Sequence, residues 1–242
     1  MDNMNNAGVY VNPGKNEIVQ SDNNDKYSCR AVRTKIITRD DSLAEIIAEY
    51  AKPHLENGDI LFLSEKMVAC AQGRAIPVSE IKPRFTAALL SGFVTKSSAG
   101  IGLAMPETMQ CAIDECGHIK IMLAAAAGMI GKLFRRKGWF YKVAGYRAAC
   151  IDGPCEYAIP PYNNYVVLAP LEPDYTALKI AEILDGVTVL IVDINDLGGS
   201  VLGSSAKIDK EHIIALLRQN PLGQSCESTP MGILRKSKGG ND

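Results

Sequence analysis

Apolar residues recur along the chain in two patterns: continuous runs, which are typical of buried strands, and repeats of three to four residues, which are typical of helices. The run VTVLIV at residues 187–192 and the run ILFLSEKMVAC at residues 60–70 predict strands buried on both faces. Residues 43–50, 175–184 and 210–218 show helical spacing, and the first of these segments follows an Asp-Asp-Ser cap. This alternation of strands and helices predicts an α/β protein.

Shorter segments complete the predicted order of elements. Residues 17–20 and 27–35 flank the turn-forming segment SDNNDK, which predicts a hairpin. A helix is expected at residues 107–115 after Met105-Pro106, and the Ala-rich run at residues 121–130 is expected to be a second, buried helix. Short strands are predicted at residues 165–168 and 231–234.

These elements predict how the chain is organised into domains. Residues 1–15 lack periodicity and are expected to be disordered, and residues 237–242 are expected to be a flexible tail. Residues 16–236 are expected to form a single domain with mixed sheets of α+β type, since no internal repeat divides the chain.

Composition excludes several classes of protein. The chain has 242 residues, of which 47% are hydrophobic, and this suits a globular core. With 26 Lys and Arg against 27 Asp and Glu the net charge is -1, so neither a nucleic acid nor a membrane is expected as a partner. The longest apolar run is about half of the roughly twenty residues that cross a bilayer, and the polar start does not resemble a secretory signal. A cytoplasmic protein is expected.

Seven cysteines are spread through apolar stretches, as buried free thiols are in a reducing compartment. The spacings Cys111-x4-Cys116 and Cys150-x4-Cys155 are accompanied by no CxxC or CxxH pair. Small side chains that fill the core are therefore expected rather than a zinc site.

Two acidic residues stand where apolar segments end. The run at residues 187–192 leads into Asp193, and the apolar residues before Asp152 lead into a Gly-Pro loop. The ends of buried strands are where α/β proteins place their sites, and two carboxylates suit Mg²⁺ or Mn²⁺, which take oxygen ligands and bridge to phosphates. A second interpretation stays open, in which Asp193 and Asn195 only cap a turn.

Five parts of the chain follow one another in an order that matches one enzyme family. They are RTKIITRDDSL from Arg33, GDILFLS from Gly58 with AQGR from Ala71, Ile151-Asp152, APLEPD from Ala169, and VDIN from Val192. Together they resemble the coenzyme F420-0:γ-glutamyl ligase family, and the chain is similar to a divergent, bacterial-type member. The resemblance covers most of residues 30–236.

The resemblance implies a chemistry. Enzymes of this family use GTP and a divalent metal ion to add L-glutamate to a coenzyme precursor. A small-molecule carboxylate is expected to take the γ-phosphoryl group as an acyl phosphate, and the amine of glutamate then displaces phosphate to leave an amide. The resemblance further implies intertwined subdomains, a homodimer, GTP as co-substrate, and Mg²⁺ or Mn²⁺ as the cofactor.

The resemblance also assigns residues. Asp152 and Asp193 are the implied catalytic residues, and together with Gln224 and Glu227 they are the implied metal ligands. The implied nucleotide-binding residues lie at three places in the chain: Ser64, Glu65, Lys66, Asn195, Gly223, Gln224 and Ser225.

Other functions stay open. The family's basic run after the second aspartate corresponds to residues 196–203, which contain no Lys or Arg. One alternative is therefore a catalytically degenerate protein that binds nucleotide and metal on the same scaffold without turnover. A second is glutamylation of a folate-type cofactor in place of the deazaflavin, and a third is a structural or partner-binding domain.

Overall fold

The structure, a computed structural model, describes residues 8–21, 25–94, 101–136, 138–156, 158–196, 198–223 and 227–237. The chain divides into two compact units. Unit 1 comprises Met1–Gln72 and Leu171–Asp242, and unit 2 comprises Gly73–Pro170. Unit 1 is therefore formed by both ends of the chain, with unit 2 inserted between them.

The described residues form nine strands and nine α-helices, and the helices contain more residues than the strands. The strands are β1 (Val9–Tyr10), β2 (Ile18–Gln20), β3 (Lys26–Val32), β4 (Ile60–Ser64), β5 (Ala75–Pro77), β6 (Tyr165–Val167), β7 (Thr188–Asn195), β8 (Gly198–Ser204) and β9 (Met231–Lys236). The helices are α1 (Leu43–Tyr50), α2 (Glu65–Ala71), α3 (Phe85–Ser91), α4 (Pro106–Cys116), α5 (His118–Leu133), α6 (Trp139–Ala144), α7 (Tyr146–Ala149), α8 (Pro173–Ala181) and α9 (Lys210–Leu216).

Unit 1 is built on a mixed sheet of seven described strands. Their order is β1-β3-β9-β4-β7-β8, with β2 paired to β3. Strands β4 and β7 are parallel, and their register places Ser64 opposite Val192. The other pairs are antiparallel, so β3, β4 and β7 all end at one edge of the sheet, where β8 and β9 begin. The predicted α/β class with a mixed sheet is confirmed.

The sheet of unit 1 is buried on both faces. Val189 and Ile191 of β7 pack in one apolar cluster with residues of α1, α2 and α8. The alternate residues Leu190 and Val192 pack in a second cluster with residues of α9. Successive side chains of a strand point to opposite faces, so a continuous apolar run such as β7 requires a layer on each side. The prediction of a doubly buried strand here is confirmed.

Unit 2 is mainly helical. Helices α3 to α7 pack around an apolar cluster that includes Leu103, Met109 and Ile121. Strands β5 and β6 form a small antiparallel pair, and an isolated bridge joins Asp152 to Val167. The predicted helix at residues 107–115 and the predicted strand at residues 165–168 are both present, as α4 and β6.

Two strand boundaries of unit 1 differ from the prediction. The run at residues 60–70 is not one strand, because β4 ends at Ser64 and α2 begins at Glu65. The Ser64 hydroxyl accepts a hydrogen bond from the Met67 amide at 3.2 Å, which caps the helix. The strand β7 does not end at Val192 either, since it continues to Asn195 by pairing with the unpredicted strand β8.

The Ala-rich segment is a helix, as predicted, but it is not a buried one. Only Ile121, Ala124 and Gly131 of α5 are buried among the side chains of this helix. Its other large apolar residues are exposed. Apolar composition alone does not tell which face of a helix has a partner.

Strand β1 lies within the N-terminal stretch for which disorder is predicted, and it pairs with β3 through Val9 and Tyr10. Residues 1–7 and 238–242 lie outside the described residues. Among the described helices none is long and apolar enough by itself to cross a membrane. Helices α4 and α5 are long and apolar enough only when they are taken together, and the two helices are bent by 119° relative to each other.

Alkylation is expected to distinguish the cysteines. Iodoacetamide at pH 8 should modify the exposed Cys155, whereas Cys29 and Cys111 should stay unmodified in the folded protein. Burial raises the pKa of both thiols to about 12, and the thiolate is the nucleophile. Peptide mass spectrometry measures the rates, with urea-unfolded protein as the control in which all thiols react. Equal rates at Cys29 and Cys155 would contradict this packing.

Candidate functional site

The edge of the unit 1 sheet where β4 and β7 end brings two carboxylates together. Glu65 follows β4 directly, and Asp193 follows Val192, the register partner of Ser64. The parallel pairing therefore places Glu65 beside Asp193, and one carboxylate oxygen of each lies within 4.8 Å of the other. Glu65 is only 7% exposed and Asp193 is half-buried.

This pair of carboxylates has the donor chemistry of a site for a hard divalent cation. Two negative charges at this separation, shielded from much of the solvent, repel each other by an amount of order a few kcal/mol. A bound Mg²⁺ or Mn²⁺ turns that repulsion into attraction and takes carboxylate oxygens as its usual ligands. Glu65 and Asp193 therefore fit the metal that the sequence predicts, although Glu65 was predicted as a nucleotide contact.

Asp152, the other predicted carboxylate, belongs to unit 2. Its backbone is fixed by two hydrogen bonds of 2.9 Å with Val167, one donated by each amide. The side chain of Asp152 influences Tyr141, whose pKa is raised first by burial and then by the negative charge of Asp152. Because Asp152 and Asp193 lie in different units, the predicted pairing of these two residues stays a prediction.

The loop before β9 is attached to the same edge of unit 1. Asn220 donates from its amide to Asp196 at 3.3 Å and to the Gly223 carbonyl at 3.2 Å. The Ser64 amide donates to the Pro230 carbonyl at 2.8 Å. These bonds hold the start of the loop next to the end of β7 and its return next to the end of β4.

Glu227 lies directly against Gly223 within this loop. A Cβ atom added to Gly223 would meet the Glu227 carboxylate at 2.7 to 2.9 Å, and the φ of Gly223 is +79°. Only glycine adopts this backbone conformation without strain and leaves room for the carboxylate. Glu227 is thus positioned by the loop, while Gln224 and Ser225 lie outside the described residues.

Substituting Gly223 by Ala is expected to displace Glu227 and to weaken nucleotide or metal binding about tenfold, because the loop must change its backbone to remove both the clash and the strain. Isothermal titration with GTP and Mn²⁺ measures the effect. Gly14 is the matched control, since it has a φ of +76° and no atom within 4 Å of an added Cβ. Equal losses in Gly223→Ala and Gly14→Ala would contradict a specific role for the loop.

A basic side chain that the sequence pattern did not single out also lies at this edge. Arg33 follows β3 and donates from Nε to the Tyr10 hydroxyl at 2.9 Å, with its guanidinium 4.9 Å from the centre of that ring. The Tyr10 hydroxyl in turn donates to the Glu227 carbonyl at 3.4 Å. In the sequence Arg33 is only the first residue of a segment that resembles the family, and it becomes a candidate because β3, β4 and β7 end at one edge.

Seven of the predicted site residues belong to this edge of unit 1: Ser64, Glu65, Lys66, Asp193, Asn195, Gly223 and Glu227. Ser64 caps α2, so it positions Glu65. Lys66 is exposed on the first turn of α2, and Asn195 ends β7 opposite Gly198 of β8. Asp193 is paired with Ser200 inside the β7–β8 hairpin, whereas Asn195 closes the turn of this hairpin opposite Gly198. The turn-capping interpretation therefore stays open.

Open α/β sheets place their ligand sites outside the carboxyl ends of parallel strands, and a carboxylate pair at such a position has the chemistry of a divalent-metal site in an α/β enzyme. A sequence model described as F420-0:Gamma-glutamyl ligase matches residues 31–196, which is more than half of the chain. The chain therefore belongs to the F420-0:γ-glutamyl ligase family. A search of curated proteins found no match.

Family membership supports a γ-glutamyl ligase function in general terms. The matched region begins in β3 and reaches the end of β7, so it contains Glu65, Asp152 and Asp193. It does not include β8, α9, β9 or the loop that holds Gly223 and Glu227. The family match and the carboxylate pair therefore concern the same part of the sheet edge.

Proposed function

We propose that this protein is a nucleotide- and metal-dependent ligase that joins L-glutamate to a small-molecule carboxylate through an acyl phosphate. The observation that carries the proposal is the approach of Glu65 and Asp193 to within 4.8 Å at the ends of two paired parallel strands. The reaction class comes from the family, and this pair supplies a place where its phosphoryl-transfer chemistry can occur.

Glu65 and Asp193 would hold Mg²⁺ or Mn²⁺, with Glu227, Gln224 and Asp152 proposed as further ligands. When bound, the ion neutralises negative charge on the transferring phosphoryl group. The protein's own contribution is to keep the two acidic side chains fixed. The sheet register determines their spacing, and the Ser64 cap determines where Glu65 leaves the strand.

GTP is the proposed nucleotide, bound along the edge formed by Asn195 and the loop at residues 223–227, where Ser225 belongs. Arg33 and Lys66 supply positive charge at this edge, and a guanidinium is well suited to phosphate oxygens because it donates several hydrogen bonds in a fixed plane. Phosphoryl transfer requires alignment and charge neutralisation more than covalent help. Arg33 and Lys66 would neutralise charge on the phosphates, and Asn195 with the loop would align the nucleotide.

The acceptor is proposed to be the deazaflavin precursor of the family or another cofactor with a free carboxylate, such as a folate. Glutamate is the proposed second substrate, since the family is described by γ-glutamyl transfer to F420-0. A homodimer located in the cytoplasm, with no nucleic acid or membrane partner for the ligase reaction, completes this proposal.

The test is a screen of carboxylate acceptors with L-glutamate, GTP or ATP, and Mn²⁺ or Mg²⁺. The expected result is a gain of one glutamyl residue in the mass of one acceptor, accompanied by stoichiometric release of inorganic phosphate. Omission of metal should abolish both signals. Phosphate release that does not depend on any acceptor, or glutamyl transfer without nucleotide, would contradict the acyl phosphate route.

One observation favours the degenerate binding protein as a second candidate. Residues 198–204 form β8 and contain neither Lys nor Arg, so the basic run that the family has after the second aspartate is absent from this strand. GTP with metal should then raise the melting temperature without any release of phosphate in the presence of acceptor and glutamate. That combination of results distinguishes the second candidate from the ligase.

A further inference from the structure

The exposed face of α5 in unit 2 is apolar. Ile121, Ala124 and Gly131 are the buried residues of this helix, and they lie on the side that packs in the core of unit 2. The helical repeat of about 3.6 residues places another row of residues on the opposite side, and this row contains no charged residue. Its members, called the α5 stripe here, are Ile119, Met122, Leu123, Ala126, Met129, Ile130 and Leu133.

The α5 stripe is large. Its six large side chains expose on the order of 600 Å² per molecule, which is the upper limit of the largest apolar patch on a typical monomer. In a standard interface each partner contributes roughly 800 Å², so the α5 stripe alone would supply most of that area. Leaving such a surface in water is unfavourable, because apolar burial contributes about 25 cal/mol per Å². A surface of this kind is typical of an interface.

The order of side chains along the α5 stripe is symmetric about Ala126. Residues at equal distances from Ala126 on either side are both large and apolar, and they are exposed to similar extents. The pairs are Ile119 with Leu133 (78 and 80%), Met122 with Ile130 (45 and 48%), and Leu123 with Met129 (61 and 56%).

We infer that the α5 stripe is a self-association surface on which α5 of a second copy packs antiparallel, with the two-fold axis at Ala126. A two-fold interface is self-complementary, so residue i of one copy meets residue j of the other and j meets i. The symmetry about Ala126 meets this requirement, since each pair named above would form twice. The small Ala126 side chain at the centre lets the two helix backbones approach closely.

Charged residues flank the α5 stripe without interrupting it. Lys120 and Lys132 lie outside it on α5, and no Asp or Glu occurs between residues 117 and 151. An apolar stripe bordered by lysines also suits an anionic lipid surface. A bilayer, however, requires neither matching side chains on both sides of a centre nor a small residue at that centre, so these two features favour a second copy.

This inference names the surface of the proposed homodimer and does not rest on the ligase chemistry. A failed glutamylation assay leaves it unaffected, because its readout is the mass of the full-length protein in solution. Sedimentation equilibrium of the wild type is expected to give a dimer. The substitution Ala126→Glu places two carboxylates opposite each other at the axis and should raise the dimer dissociation constant at least a hundredfold. Ala149→Glu, at an exposed alanine of α7 in the same unit, should leave the dimer intact.

Cross-linking tests the axis itself. Ala126→Cys should form an intermolecular disulfide on mild oxidation, because the two copies of residue 126 face each other. Met122→Cys should not do so, since its two copies would be separated by about 12 Å along antiparallel helices, beyond the roughly 7 Å limit for a disulfide. The wild type, with its own cysteines, is the background control.

Three outcomes would overturn the inference: a monomeric wild type, a dimer that persists in Ala126→Glu with an unchanged dissociation constant, or cross-linking of Met122→Cys as fast as that of Ala126→Cys. A monomeric wild type that sediments with phosphatidylglycerol vesicles but not with phosphatidylcholine vesicles would assign the α5 stripe to a membrane surface. Circular dichroism of each variant confirms that the fold is unchanged, which is expected because the substituted side chains are exposed.

Discussion

Replacing Asp193 by Asn is expected to lower kcat/KM for glutamate ligation by a hundred- to a thousandfold, and replacing Glu65 by Gln is expected to do the same. Each change keeps the size of the side chain and removes one of two negative charges that lie within 4.8 Å of each other. Loss of a charge that holds the ion costs several kcal/mol of transition-state stabilisation, and each 1.4 kcal/mol is about a factor of ten in rate. Initial rates of phosphate release measure the effect.

The matched control is Asp185→Asn. Asp185 is an exposed acidic residue of the same unit, and it precedes β7 at the edge of the sheet away from the carboxylate pair. It should retain the wild-type rate. The double variant Glu65→Gln with Asp193→Asn should be little worse than either single variant, because residues that act as one unit are not additive. If the rate losses of the two single variants instead multiplied in the double variant, the carboxylates would not share an ion.

The second large effect concerns stability and lies at the other end of the sheet. Arg235 of β9 donates to both carboxylate oxygens of Asp59, at 2.8 and 2.7 Å, and the Asp59 side chain is only 2% exposed. Substituting Arg235 by Met is expected to lower the free energy of unfolding by about 3 kcal/mol, because it leaves a buried carboxylate without its partner. Urea unfolding followed by circular dichroism gives the value.

Two further variants separate this explanation from a loss of packing. Arg30→Met removes an arginine of the same sheet whose partner Glu17 is well exposed, and it should cost less than about 1 kcal/mol. Adding Asp59→Asn to Arg235→Met removes the unpaired charge and should recover a large part of the lost stability. No recovery in the double variant would contradict the account of Arg235 as the partner of a buried charge.

Local patterns in the sequence predicted most elements of the fold. The apolar run at residues 187–192, the hairpin of β2 and β3, and α4 after Met105-Pro106 are all present. The boundary between β4 and α2 was wrong because EKMVAC is apolar enough for a strand and also consists largely of helix formers. The Ser64 cap decides between these two states, and a capping hydrogen bond is a property of the folded backbone.

The candidate site was predicted only in part, for a different reason. Asp193 could be proposed from its position after a buried strand, and Glu65 was named as a nucleotide contact. That Glu65 lies beside Asp193 follows from the parallel register of β4 and β7, which joins residues more than a hundred positions apart. Pattern analysis of a single chain contains no information about such a pairing. The same limit applies to Arg33 and to the exposed face of α5.

The central claim is that Glu65 and Asp193 together bind a divalent cation, and electron paramagnetic resonance of Mn²⁺ tests it most directly. Free Mn²⁺ gives a strong signal that is lost on binding, so titration of the wild-type protein should show stoichiometric uptake. Asp193→Asn and Glu65→Gln should each weaken that uptake at least tenfold, while Asp185→Asn should match the wild type. Unchanged Mn²⁺ binding in either site variant would contradict the claim.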